Sequence, residues 1–223
     1  MNNIHIFYHI GQFTNWEFVV QEQIHALCLS GLMDSCKSFN VGVVGGNKPI
    51  QGLPTKTDIT YHSSDIWPCE RGTLCMLRDF SKMYGDGANI LYLHTKGVTK
   101  NKPSINCWRL YMEYYCVHKW KTCVEDLKSH DCVGSLWANA HDNYPSHFSG
   151  NVWWANSMYI NTKVNHSLLN THSRFDREFW IGSGNPVVKS YGIDNAPILG
   201  DYFFENIISS ELICKGNKTH ESA

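Results

Sequence analysis

The feature that most constrains this chain is the rhythm of its first hundred residues, in which short apolar runs alternate with stretches of helical spacing. Asn3–Gly11 reads NIHIFYHIG, rich in β-branched and aromatic residues and closed by glycine, which predicts a strand. Behind it Trp16, Val19, Val20, Ile24 and Leu27 recur at helical spacing, and Ser30-Gly31 ends that helix. Thr14-Asn15-Trp16-Glu17 has the form of a capping box, since Glu17 lies three residues after Thr14. NVGVVGG, Asn40–Gly46, is a second short strand, so apolar that both of its faces should be covered. A third strand is expected around Ile59–Ser63. Pro68 and Glu70 then open a helix carrying Leu74, Leu77, Phe80 and Tyr84, closed by Gly85. The fourth strand lies in ILYLHTKGV, Ile90–Val98. Strands separated by helices of this length imply right-handed crossovers, hence an α/β domain with a mostly parallel central sheet flanked by helices.

From Ser104 the pattern changes. Ile105, Trp108, Met112, Cys116, Trp120, Cys123 and Leu127 step by three or four and predict one long amphipathic helix. Asp131–Ala140 reads as another strand, and His147–Ile160, HFSGNVWWANSMYI, as a loop followed by an aromatic-rich strand. A helix and then RFDREFWIGSG, Arg174–Gly184, come next. The tail holds a helix-like patch, YFFENII, and a polar end expected to be loose.

At 223 residues the chain suits one sizeable domain, and no linker marks a second. A composition 43% hydrophobic and 17% charged argues against disorder, and a net charge of -1 disfavours general nucleic-acid binding. No apolar run is long enough for a membrane span, and the N-terminus lacks the form of a signal peptide. Nine cysteines, an odd number without a C-x-x-C pair, read as reduced core residues of a cytoplasmic protein.

Ligands of open α/β sheets bind beyond the carboxyl ends of the strands, so the loops YHIGQFTN, GGNKP and HTKGV carry the candidate chemistry. Loop one leads into a helix whose N-terminal amides suit an anion. No P-loop and no G-x-G-x-x-G is present, which sets aside P-loop NTPases and the usual dinucleotide binders. Strand alternation puts His94 and Lys96 on one face and Thr95 on the other. Lys96 can pair with a phosphate and His94 can donate to it or ligate a metal; equally, both can be ordinary residues of a strand end. Trp153 and Trp154 face opposite ways in a strand, so either one lines a cleft or both are core. Gly150 and Asn151 beside them allow close backbone approach and hydroxyl recognition. Asp176 and Glu178 stand beside Arg174 and Arg177, either as a carboxylate base near a cleft or as charge pairs of a surface turn. His141, Asp142 and His147 suggest a metal-dependent hydrolase, although neither H-E-x-x-H nor G-x-S-x-G occurs.

Taken in order, NWEFVVQEQIHALCLSGLMD, ERGTLCMLRDFSKMYGDGANILYLHTKGV, WRLYMEYYCVHKWKTCVEDL, HFSGNVWWANSMYI and REFWIG resemble a family of small cytosolic glycosyltransferase-like domains. That family occurs in bacterial polysaccharide-synthesis proteins and large DNA viruses. The resemblance implies a GT-A-like, Rossmann-type fold in one domain. Residues to about 100 would form a nucleotide-binding half, 101–200 an acceptor-side half, and 201–223 a C-terminal helix and tail. It implies transfer of a hexose, deoxyhexose or pentose from a nucleotide-diphosphate sugar, with UDP-sugar the expected donor, to a glycan or glycoprotein hydroxyl. If the source is viral, the host cytosol is the implied compartment. Most enzymes of that fold hold a divalent metal with paired aspartates where this chain has His94-Thr95-Lys96, so a lysine stands in place of the anions. Mn²⁺ or Mg²⁺ remains open, with His94 and, elsewhere, Asp65 or Glu70 as candidate ligands. By the same resemblance Tyr8, His9, Ile10 and Asp65 would meet the nucleoside. His94, Thr95, Lys96 and Gly97 would meet the diphosphate, and Gly150, Asn151, Trp153, Trp154 and Trp180 the sugar and acceptor. Glu178 would be the catalytic base of an inverting enzyme, with Asp176 as second candidate. The alternative is a non-catalytic nucleotide-sugar or carbohydrate-binding domain of the same fold.

Overall fold

A central seven-stranded sheet organises the chain, in the order β3-β2-β1-β4-β8-β5-β9. The computed structural model describes residues 3–62, 70–100, 102–141, 144–173 and 175–192. Strand β1 (Ile4–Gly11) is buried throughout. It is followed by helices α1 (Trp16–Leu29) and α2 (Leu32–Ser35), strands β2 (Ser38–Val44) and β3 (Thr57–Tyr61), and helix α3 (Arg71–Tyr84). Strand β4 (Asn89–His94) returns to the other side of β1. The first four strands run parallel to one another. β1 therefore has β2 on one side and β4 on the other, and the chain reverses its direction of travel across the sheet between β1 and β4.

The second half adds helix α4 (Pro103–Glu113), a π-helical segment at Tyr114–His118 and helix α5 (Trp120–Asp126). The long helix read from the three-four spacing is thus real but interrupted. Inside the interruption the carbonyl of Cys116 accepts a hydrogen bond from Trp154 Nε1 at 2.8 Å, which gives a buried indole its partner. Strand β5 (Cys132–Ser135) ends at Leu136, whose φ of +60° turns the chain into β6 (Trp137–Ala138). Strand β7 (His147–Phe148) pairs with β6 in a small second sheet. Strand β8 (Trp153–Asn156) enters the main sheet antiparallel to both β4 and β5. Helices α6 (Ser157–Thr162) and α7 (Phe175–Phe179) and strand β9 (Val188–Tyr191) complete the described chain.

Both faces of the inner strands are covered, as their apolar runs require, whereas the edge strand β3 is largely exposed. One core holds Tyr8, Ile10, Val41, Leu93 and Trp154 against α1, α4 and α5. The other holds Phe7, Tyr92 and Trp153 against Leu74 and Leu77 of α3 and Tyr159 and Ile160 of α6. Cys36, Cys116, Cys123 and Cys132 are buried thiols, and no disulfide joins the described cysteines. Cys69, Cys214, the YFFENII patch and residues 201–223 lie outside the described residues. Among the described residues no helix is long and apolar enough to cross a membrane.

The capping box does not form. Thr14 takes a φ of +32° and its hydroxyl donates to the carbonyl of Val98, while the Asn15 side chain makes no cap to α1. A loop-to-loop bond wins over the local one because it ties the β1–α1 turn to the turn after β4.

Candidate functional site

A cavity of about 400 Å³ opens beyond the carboxyl ends of β1 and β4, at the point where the strand order reverses. Register sets its floor: His9 pairs with His94 across the β1–β4 ladder, and the backbone then departs on both strands. The Thr95 hydroxyl accepts the Gly11 N–H at 2.9 Å, and Thr95 N–H donates to the His9 carbonyl at 3.0 Å. Thr95 thereby stitches the two strand ends together. Gly97 follows with a φ of +95°, and a β-carbon there would meet Ile105 Cγ2 at 2.9 Å, so only glycine makes this turn without strain.

His94 sits at the junction of three segments. Its Nε2 donates to the Gly150 carbonyl at 2.7 Å, and its Nδ1 lies 3.3 Å from Glu70 Oε1. Both partners are hydrogen-bond acceptors, so the ring bridges Glu70 and the Gly150 turn. Glu70, at the head of α3, spends its other oxygen on Asn151 Nδ2 at 2.6 Å instead of capping its helix. Asn151 in turn accepts from Trp153 Nε1 at 2.7 Å. Gly150 N–H donates to Glu178 Oε1 at 2.7 Å. One chain of bonds therefore links Glu70, His94, the turn at Gly150-Asn151 and Glu178, residues from four separate parts of the sequence.

Charge is mixed but leans positive. Lys96, Lys100 and Arg177 line the cavity beside Glu70 and Glu178. The Lys96 ammonium lies 3.5 Å from the centre of the Trp108 ring, a cation–π contact that orients it at the cavity wall. Arg177 is buried and holds the 171–173 turn through Thr171 and Ser173, which fixes α7 and with it Glu178. His9 faces the floor with Nδ1 bonded to the Thr73 hydroxyl at 2.8 Å. Burial first, then the neighbouring His94 and His62, lowers its pKa to about 3, so it stands as a neutral imidazole. A second cavity of about 350 Å³ adjoins the first and shares the wall of Lys96, Gly97, Thr99, Lys100 and Glu178.

His9, His94, Thr95, Lys96, Gly97, Gly150, Asn151 and Glu178 are brought together as read from the sequence. Tyr8 and Ile10 are not: they point to the opposite face of the sheet and are fully buried. The Tyr8 hydroxyl donates to Gln23 at 2.7 Å inside a buried network with Glu113 and Arg109, and burial raises its pKa. Trp153 and Trp154 do face opposite ways, but each enters a core and neither offers a ring face to a ligand. Trp180 is likewise buried, packed near Trp153. Asp176 lines neither cavity. The first turn of α1 lines neither as well, and loop one contributes Gly11 and Phe13 to the main cavity. Asp65, Asp142 and Arg174 lie outside the described residues. Arg177, Lys100 and Phe13 were missed as cavity residues. The basic flank of Glu178 was a signal for the first and the place of Phe13 in the loop YHIGQFTN for the last; Lys100 had none.

His94 and Glu70 are the described candidate ligands for a metal ion, and Asp65 lies outside the described residues. Among the described residues no three His, Cys, Asp or Glu side chains are grouped to hold one. His94 has both ring nitrogens engaged.

No family model matches the chain, and no curated protein matches it. Among solved structures it is similar to Rv0371C of Mycobacterium tuberculosis, crystallised in complex with manganese. The identity is 10% and the TM-score 0.46, over 86% of this chain and 89% of that one. So distant a likeness carries no argument about chemistry.

Proposed function

We propose that the protein is a glycosyltransferase that takes a sugar from a nucleotide-diphosphate donor and transfers it to a carbohydrate hydroxyl. The observation that carries this reading is the cavity at the β1–β4 reversal, where Lys96, Lys100 and Glu178 together line a space suited to a small ligand. A diphosphate needs cations that act as the leaving group gains charge, and Lys96 is held in place for that task by Trp108. Phe13, partly buried, lines the same cavity and is the aromatic side chain we assign to a nucleobase. The acceptor oxygen attacks the anomeric carbon, the bond from that carbon to the diphosphate breaks, and the acceptor proton passes to Glu178. Gly150 N–H holds one oxygen of that carboxylate. The direct displacement inverts the anomeric centre.

Incubation with a panel of nucleotide sugars, with and without Mn²⁺ or Mg²⁺, tests the reading by release of nucleoside diphosphate. Release supports transferase chemistry. A melting shift without release assigns a binding domain, and neither outcome with any donor overturns the reading.

A further inference from the structure

The second cavity differs from the first in what lines it. Tyr144 and Phe175 are 50% and 47% exposed, a large outlay of aromatic surface on one wall. They flank the buried Phe179: Phe175 stacks on it at 6.4 Å, and Tyr144 meets it edge-on at 6.2 Å. His147 closes the same cluster with its ring 5.0 Å from that of Phe179. The three phenyl-type rings thus form a continuous wall along α7 and the 144–148 segment.

We propose that this aromatic cavity binds the carbohydrate acceptor, with a pyranose face stacked on Tyr144 and Phe175. The inference rests on the reading of the main cavity as a donor site. A sugar ring presents an apolar C–H face and a rim of hydroxyls, and the cavity answers both. The aromatic wall meets the first, while Ser149, Lys100 and Glu178 offer partners to the second. A wholly apolar ligand would cover the Lys100 ammonium and the Glu178 carboxylate without offering them a hydrogen bond, at a cost. Position completes the argument. Glu178 belongs to both cavities, so an acceptor held on this wall brings a hydroxyl to the same carboxylate that faces the donor. The volume of about 350 Å³ accommodates one sugar unit, with the rest of a glycan leaving over the exposed rim.

The test titrates the protein with methyl glycosides of glucose, galactose, mannose, N-acetylglucosamine, fucose and xylose, read by saturation-transfer NMR and tryptophan fluorescence. At least one glycoside binds, with saturation strongest at ring C–H protons. Tyr144→Ala and Phe175→Ala each weaken that binding roughly tenfold. Phe175→Leu keeps bulk without an aromatic face and weakens it too, whereas Tyr144→Phe retains it. Absence of binding by every glycoside, or wild-type affinity in the Ala and Leu variants, overturns the inference. Failure of the donor reading looks different: nucleoside diphosphates then give no melting shift while glycosides still bind the aromatic wall.

Discussion

His94 Nε2 lies 2.7 Å from the Gly150 carbonyl oxygen, and this bond joins the end of β4 to the turn that holds Glu178. The turn is itself constrained: Gly150 and Asn151 have φ values of +89° and +56°. The diphosphate side and the base side of the proposed site are therefore set relative to one another by a few short bonds, not by loop chance.

Glu178→Gln should keep the Gly150 contact, because the amide oxygen still accepts, while losing the ability to take a proton. Transfer falls roughly 10²–10⁴-fold with the melting temperature unchanged. Nucleoside diphosphate release in the presence of acceptor measures it, and near-normal turnover removes Glu178 from the role of base.

Lys96→Ala removes the oriented cation beside the proposed leaving group. Turnover should fall about 10²–10³-fold, the loss typical of one electrostatic stabiliser of a transition state. A kcat that hardly moves, with only KM raised, would restrict Lys96 to donor binding.

Stability should fall on acidification. Burial depresses His9 to about 3 and His5 to about 4, so the unfolded chain takes up protons that the native state refuses. Their contribution is present in full above the unfolded value of 6.5 and is lost progressively as pH falls towards those depressed values. Each buried histidine costs roughly 1.4 kcal/mol per pH unit within that window. Urea unfolding at pH 7 and pH 5 measures the slope, and His9→Asn should flatten it by about one histidine's share.

Gly150→Ala introduces a side chain where φ is +89° and where its β-carbon would lie 2.6 Å from Met112 Sδ and 2.8 Å from Trp108 Nε1. Strain and overpacking together cost at least about 2 kcal/mol. For a chain of this size that lowers the melting temperature by roughly 4–8 °C. Thermal unfolding followed by circular dichroism checks it.

Much of the fold was legible because each strand carries its own signature. NIHIFYHIG, NVGVVGG and ILYLH are dominated by apolar and aromatic residues without a polar-out alternation, which suits strands buried between two helical layers. The reading failed where a distant partner outbid a local one. Thr14 abandons its helix cap for the Val98 carbonyl, whereas Glu70 opens α3 as expected but turns its carboxylate to His94 and Asn151. The two tryptophans illustrate the limit most clearly. Alternation correctly sends Trp153 and Trp154 to opposite faces, but whether a face is open depends on what covers it, and both are covered.

The sequence by itself determined the first four strands and most of the helices, through periodicities that each segment carries locally, and it marked His94-Thr95-Lys96-Gly97 as the end of a central strand; β9 carried no such mark, and the run read as one strand over Asp131–Ala140 divides into β5 and β6. Tertiary structure alone decided the strand order 3-2-1-4-8-5-9, the convergence of Glu70, His94, Gly150 and Glu178, and the exposed wall of Tyr144 and Phe175. The reason is physical: a segment's periodicity says which of its sides is apolar, whereas a site is made by polar groups far apart in the chain that find partners only once the layers have packed.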